Sequence, residues 1–122
     1  MTSTWERGQS GEKKASAFLT GKGHIIIATN FRLSIGEVDI ISERDRILHF
    51  CEVKTWRTVP MEGLEQSVSR RKRQRIQSCA SEFLRRSPGF DGYGIVFDVL
   101  FVDSGSGEIT HIENAWTTSD VW

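Results

Sequence analysis

Two apolar, β-branched runs lie close together in the chain, Glu37-Val38-Asp39-Ile40-Ile41 and Ile47-Leu48-His49-Phe50-Cys51-Glu52-Val53, with only Ser42-Glu43-Arg44-Asp45-Arg46 between them. Runs of this length bounded by a polar stretch read as the two strands of an antiparallel hairpin. The hairpin constrains the fold more than any other segment. Side chains alternate between the faces of a strand, so its register decides which polar residues meet. A turn between Asp45 and Arg46 sets residue 39 opposite residue 52.

The flanking segments complete an alternating pattern. Ser3-Thr4-Trp5-Glu6 has the form of a capping box and opens a helix to about Leu19, ended by Gly21 and Gly23. His24-Ile25-Ile26-Ile27-Ala28 is a short, mostly buried strand. From about Leu64 to Arg86, Leu64, Val68, Ile76, Cys79, Ala80, Phe83 and Leu84 recur at helical steps, and Ser87-Pro88-Gly89 stops them. Ile95 to Val102 is a central-strand candidate, and Glu108 to Ile112 follows as an edge strand across the Asp103 to Gly107 turn.

The order is αβββαββ, an α/β fold with a mixed sheet of about five strands flanked by helices. With 122 residues, 38% hydrophobic and 26% charged, residues 1–122 are expected to form one globular domain. Cys51 and Cys79 make neither a disulfide framework nor a CxxC pair, and no apolar leader or membrane-length apolar run is present. The expectation is a cytoplasmic protein with no membrane association.

Within the hairpin, alternation puts Glu52 and Lys54 on one face and likewise aligns Glu37 with Asp39. Directly opposed residues of an antiparallel pair have Cβ atoms about 4.5–5.5 Å apart, and like charges there destabilise the sheet. A hard divalent cation, Mg²⁺ or Mn²⁺, offsets that repulsion through oxygen ligands. Lys54 adds a positive group able to contact a phosphate or to position and deprotonate a water. The set suits metal-assisted phosphodiester hydrolysis. Taken alone, E-x-K on a strand is an ordinary solvated ion pair. What separates this chain from that case is the Asp at mirror register, with Val38, Ile40 and Val53 apolar around it.

Two further charges fall on apolar stripes. Glu12 shares a helix face with Gly8, Ala15 and Leu19, where an acid is costly unless it is paired or binds a cation. Alternatively, its stem reaches Lys13 or solvent from the stripe's edge. Lys72 interrupts the Val68, Ile76, Cys79, Phe83 stripe, while Arg70, Arg71, Arg73 and Arg75 project elsewhere. Lys72 then points toward the acids or a bound phosphate, or else packs its stem and sends its amine to water.

Glu12, Gly36-Glu37-Val38-Asp39 and Glu52-Val53-Lys54, in this order, resemble the PD-(D/E)XK nuclease superfamily. More closely, the chain resembles the bacterial YraN family, itself similar to the archaeal Holliday-junction resolvases. The likeness covers nearly the whole chain: the Gly8 helix motif, Asn30 to Arg32, GEVDII, F-x-EVKT-x-R, V-x-x-x-K-x-x-x-I, Phe97-Asp98-Val99 and the segment from His111 to Trp116. It implies a restriction-endonuclease-like fold in which Asp39, Glu52 and Glu12 hold the metal, Lys54 is the catalytic lysine and Glu12 is the helix acid. Gln66 and Lys72 fall where some relatives contact substrate, and the resolvases' habit implies a homodimer. Val38 stands where the superfamily's name has Pro, a departure the resolvase branch shares.

Three functions follow as expectations. The first is a divalent-metal-dependent endonuclease acting on DNA, on branched or single-stranded structures. The second is a non-catalytic nucleic-acid-binding module that keeps the fold, and the third an interaction domain with solvated charges. A serine-nucleophile elbow and a P-loop are both missing from the sequence. His24, His49 and His111 are scattered singly, each expected to be a core or hydrogen-bonded histidine. Cys51 is expected to be a buried, inert thiol, and Trp5, Trp56, Trp116 and Trp122 to serve packing more than base stacking.

Sixteen Lys+Arg balance sixteen Asp+Glu, a net charge of zero that as a total argues against a phosphate-binding partner. The distribution reverses that argument. Between Glu65 and Arg86 there are seven basic and two acidic residues. Arg70, Arg71, Lys72, Arg73 and Arg75, with Gln66, are the nucleic-acid-binding candidates, set against an acidic cluster suited to a cation.

Overall fold

The computed structural model describes residues 4–56 and 68–117, and the side chains of residues 10–56 and 68–117. The elements are α1 (Thr4–Gly21), β1 (Ile25–Leu33), β2 (Gly36–Arg44), β3 (Ile47–Trp56), α2 (Arg70–Arg85), a 3₁₀ turn (Pro88–Phe90), β4 (Gly94–Asp103) and β5 (Ile109–Trp116). This is the expected αβββαββ order. One five-stranded sheet runs β1-β2-β3-β4-β5. Only β3 and β4 are parallel, and the crossover that parallel pairing demands carries α2.

The hairpin has the expected register, from Ile40 opposite Cys51 to Arg44 opposite Ile47. Asp45 and Arg46 form the turn with φ of 54° and 62°, the left-handed pair that matches the twist of two-residue hairpins.

Two boundaries differ from expectation. β1 continues past Ala28 to Leu33, through Asn30 at φ 52° and an irregularity between Ile26 and Ala28. It is an edge strand, whose half-wetted residues need not be apolar. α2 begins at Arg70 rather than near Leu64. Ser69 is its N-cap, in extended conformation, with the side-chain oxygen accepting the N–H of Lys72 at 3.2 Å. Val68 keeps the apolar period without being helical, and residues 64–67 lie outside the described residues.

Each helix covers one face of the sheet. Ile76, Cys79, Ala80 and Phe83 of α2 pack with Leu48, Phe50, Phe97, Val99 and Phe101. On the other face Ala15 and Leu19 of α1 pack with Ile40, Cys51, Leu100 and Val102. Cys51 is fully buried, which pushes its thiol pKa well up and makes it the inert residue expected. Trp116 is buried with its ring stacked on Phe97. No helix among the described residues is long and apolar enough to cross a membrane.

Candidate functional site

The pairing of β2 with β3 stops at Ile40 and Cys51 although both strands continue. Beyond that point Gly36, Glu37 and Val38 pair with β1, while Glu52 to Trp56 pair with β4. The sheet therefore opens as a fork, and the next residues in register, Asp39 and Glu52, stand at its base. They are only 8% and 3% exposed. Asp39 Oδ2 accepts the backbone N–H of Val53 at 2.8 Å, replacing the ladder bond that the fork removes. Burial, together with the negative charge of Glu52, pushes the Asp39 carboxyl up to about 7 despite that hydrogen bond.

Glu52 is satisfied on one side only. Its Oε1 lies 2.6 Å from the Lys72 ammonium, while Oε2 is buried with no hydrogen-bond partner among the described residues. Of the two destinations open to Lys72 from sequence, the structure takes the acidic one. Burial works against the charge on Lys72, but its hydrogen bond and ion pair with Glu52 prevail and raise its pKa. Lys54 is partly exposed and shares the Glu52 side of β3, since the β3–β4 register is unbroken.

Glu12 arrives from α1. A Cβ on Gly11 would collide with Thr55 Oγ1, so this glycine lets the helix settle onto β3 beside the fork. Glu12 is half-buried and hydrogen-bonded to Asn30. Burial raises its carboxyl pKa, with Glu37 and Glu52 adding to the rise and Asn30 and Arg32 opposing it. Among the described residues, no three His, Cys, Asp or Glu side chains are close enough together to hold a metal ion. The donors that do meet are carboxylate oxygens, one of them buried and orphaned. They fit a hard cation such as Mg²⁺, which uses one or two carboxylates and completes its shell with water and phosphate.

A groove of about 570 Å³ adjoins the acids, lined by Arg32, Ile35, Glu37, Arg71, Lys72 and Arg75 among others. Gly36, at φ 153°, makes the approach possible, because a Cβ there would lie 2.9 Å from Arg75 Cβ. The expected basic set thus divides. Arg71, Lys72 and Arg75 line the groove. Arg73 donates from Nε to the Val68 carbonyl at 2.9 Å and lays its guanidinium over the Trp116 ring at 5.4 Å. Arg70 is exposed at the first turn of α2, and Gln66 lies outside the described residues. Arg32, ion-paired with Glu37 at 2.9 Å, is a groove residue that sequence reasoning missed, because the β1 reading stopped short of it.

A second polar centre was also missed. Asp98 is fully buried; its Oδ2 accepts from His49 Nδ1 at 2.6 Å and His111 Nε2 at 2.8 Å, and its Oδ1 from the Asn114 N–H at 2.9 Å. The His24 ring lies 4.6 Å from that of His49, and its Nδ1 is 2.9 Å from Ser42 Oγ. Each histidine is hydrogen-bonded, as expected, but the three are not scattered. Asp98 pairs with Cys51 across the parallel ladder, so the cluster shares the α1 face and lies across the sheet from Glu52. Burial pushes Asp98 up, yet the hydrogen bonds from His111, His49 and Asn114 outweigh it and hold the carboxyl at about 2. Burial, with the neighbouring His49 and His111, lowers His24 to about 4.

Comparison with known proteins places this architecture. The model of "Uncharacterised protein family UPF0102" matches residues 11–102. A UPF0102 protein of Syntrophomonas wolfei is 36% identical over 113 residues, covering 91% of this chain and 97% of the relative. One of Clostridioides difficile is 37% identical over 111 residues, covering 91% and 96%. Another, of Halorhodospira halophila, is 40% identical over 91 residues and covers 75% of each chain. Matched across most of its length by family and relatives alike, the chain belongs to the UPF0102 family, the YraN family its motifs resemble.

Proposed function

We propose that the protein is a divalent-metal-dependent endonuclease that hydrolyses phosphodiester bonds in DNA, with branched or single-stranded structures as substrates. The observation that carries this reading is the pair of nearly buried carboxylates, Asp39 and Glu52, at the fork of the sheet, with Glu52 Oε2 lacking a partner. Asp39 and Glu52 would hold Mg²⁺ or Mn²⁺, and Glu12, the third acid that the superfamily resemblance implies, lies near enough to feel the charge of Glu52. Such an ion, when bound, polarises a phosphoryl oxygen and acidifies a water toward neutral pH.

The chain's own residues supply the rest. Lys54, beside Glu52 on β3, contacts the scissile phosphate. Glu12, with its pKa raised by burial, would accept a proton from the attacking water. Lys72 neutralises Glu52 in the resting protein and turns to phosphate when a cation takes its place. Arg71 and Arg75, with Arg32, hold the strand along the groove. A homodimer, implied by the resolvase resemblance, would present two such sites to a branched substrate.

The test is incubation of the protein with a four-way junction and with single-stranded DNA in Mg²⁺ or Mn²⁺. Cleavage is expected, abolished by EDTA and reduced at least about 100-fold in Asp39→Ala and Glu52→Ala. Cleavage that survives both substitutions overturns the mechanism. One observation favours the second reading, a non-catalytic DNA-binding module: the Lys72 ammonium, 2.6 Å from Glu52 Oε1, already supplies Glu52 with a counter-charge. That reading requires salt-dependent binding without cleavage, indifferent to EDTA and to the same two substitutions.

A further inference from the structure

The β1–β2 hairpin closes through Ser34 and Ile35, the two residues between the paired Leu33 and Gly36. Tight turns of this kind are ordinarily built from Gly, Asn, Asp or Ser, and the other two-residue hairpin turn of the chain, Asp45-Arg46, is polar throughout. Ile35 departs from that chemistry. It is a β-branched, apolar residue at a hairpin tip, and 48% of it is exposed. A single aliphatic side chain on a surface needs no explanation. What singles this one out is its position. Of the exposed large apolar side chains among the described residues, which also include Ile25, Ile47, Trp56 and Ile95, it is the one that lines the basic groove.

The surroundings of Ile35 are cationic. Arg71, Lys72 and Arg75 line the same groove, and the one acid among its lining residues, Glu37, is ion-paired with Arg32 at 2.9 Å. Arg32 and Glu37 are partners across the hairpin, one step below the residues that flank the turn. Gly36, next to Ile35, lies so near α2 that a Cβ would come within 2.9 Å of Arg75 Cβ. The tip thus stands against the helix that carries the cations, and its apolar side chain opens into the space they line.

We propose that Ile35 selects the DNA structure the groove accepts: with phosphates held by Arg71, Lys72 and Arg75, it inserts against an unstacked base where stacking is interrupted. This rests on the nucleic-acid reading and adds to it the residue that tells a broken stack from a continuous duplex. Three cations commit the groove to an anionic partner, and a nucleic-acid strand is one that carries an apolar ring face close to every charge. An aliphatic side chain gains nothing against phosphate oxygens, whereas against a base face it removes apolar surface from water. In a continuous duplex those faces are covered, and parting a step costs free energy. At a branch point or in a single strand that cost is already met. Aliphatic wedges are a known means by which proteins part base steps.

The experiment uses the full chain in EDTA, so that nothing is cut, with a four-way junction carrying 2-aminopurine at the branch point and a continuous duplex carrying it in the same sequence. This base brightens as it leaves a stack. The wild type should brighten the junction and bind it more tightly than the duplex. Ile35→Ser should keep duplex binding, lose the brightening and reduce the junction preference about tenfold, the worth of one buried aliphatic contact. Ile35→Leu should restore both, and Ile25→Ser, at an exposed isoleucine outside the groove, should behave as wild type. Ile35→Asn, with a common turn residue, takes the place of the serine variant if that fails to fold. DNA bound by the wild type without brightening overturns this proposal and leaves the carboxylate mechanism standing. Brightening that persists where Mg²⁺ brings no cleavage supports it and overturns the mechanism instead. Brightening and preference unchanged in Ile35→Ser overturn it, as does an equal loss on junction and duplex, which makes Ile35 a general affinity contact. A DNA-free dimer that Ile35→Ser dissociates overturns it as well, by making the tip a contact between copies. Binding to neither DNA overturns it together with both nucleic-acid readings.

Discussion

The Lys72 ammonium lies 2.6 Å from Glu52 Oε1, so the positive charge that faces the carboxylate pair comes from the helix packed over the sheet and not from the strand lysine two residues away. Removing it in Lys72→Ala leaves a buried carboxylate uncompensated. Stability without metal should fall by about 1–3 kcal/mol, less than for a fully buried pair because Lys72 is half in water. Added Mn²⁺ should then raise the Tm of the variant more than that of the wild type, since no ammonium competes for the same oxygen. Equal Mn²⁺ shifts in thermal denaturation of the two proteins would show that Lys72 does not stand in for a cation.

Asp39 carries a cost that depends on pH. Its carboxyl is held at about 7, above its ordinary value near 3.8. Between those values the unfolded chain has lost the proton and the native state keeps it, so stability falls as pH rises through this window and levels off above it. Asn in its place can still accept from the Val53 N–H while removing the charge that opposes Glu52. Asp39→Asn should therefore raise metal-free stability at pH 8 by a few kcal/mol and leave it nearly unchanged at pH 4. Urea titrations at the two pH values check this, and equal effects at both would contradict the assigned cause.

Acid should unfold the protein in two stages traceable to the histidine cluster. His24 is lowered to about 4, so stability is lost as pH falls from about 6.5 to 4, where the unfolded chain takes up a proton that the native state refuses. Asp98, held at about 2, costs further stability as pH falls below its ordinary 3.8. His24→Asn should flatten the first stage and spare the second. Asp98→Asn, which puts an amide donor against two imidazole donors, should destabilise by about 3 kcal/mol or more at neutral pH. Denaturation midpoints across the pH range decide the matter, and a single stage untouched by either change would refute the assignment.

Gly36→Ala tests the closeness of β2 to α2. Its Cβ would meet Arg75 Cβ at 2.9 Å and the Arg75 carbonyl oxygen at 3.3 Å, in a backbone conformation that side chains rarely adopt. The substitution should cost about 1–3 kcal/mol and weaken DNA binding by shifting the helix that bears Arg71, Lys72 and Arg75. A normal urea midpoint would mean that the two elements part freely there.

Much of this was legible in the sequence. The hairpin register followed from alternation and turn position, and with it the opposition of Asp39 and Glu52, because both are set by local spacing. The approach of Lys72 was one of two readings of an interrupted apolar stripe, and only packing could decide between them. The meeting of His24, His49 and His111 at Asp98 was hidden for a different reason. The four residues come from the position just before β1 and from β3, β4 and β5, and only the order of strands in the sheet joins them. Arg32 was lost with the second half of β1, whose polar residues are tolerable only at a sheet edge. The cap at Ser69 was overlooked because apolar periodicity runs straight through it.

The parallel ladder joins Ile47 to Gly94 and Trp56 to Asp103, always 47 positions apart, whereas β2 and β3 are joined by two residues. Closing the longer connection costs more chain entropy and comes later. The chain therefore sets Asp39 near Glu52 in a quick local event and waits for the slow one to bring α2 and its ammonium. For that interval two mutually repelling carboxylates sit on a hairpin still open to solvent, where water and dissolved cations screen them. The strain between them becomes costly only as the helix closes over the face, at the same step that supplies its counter-charge.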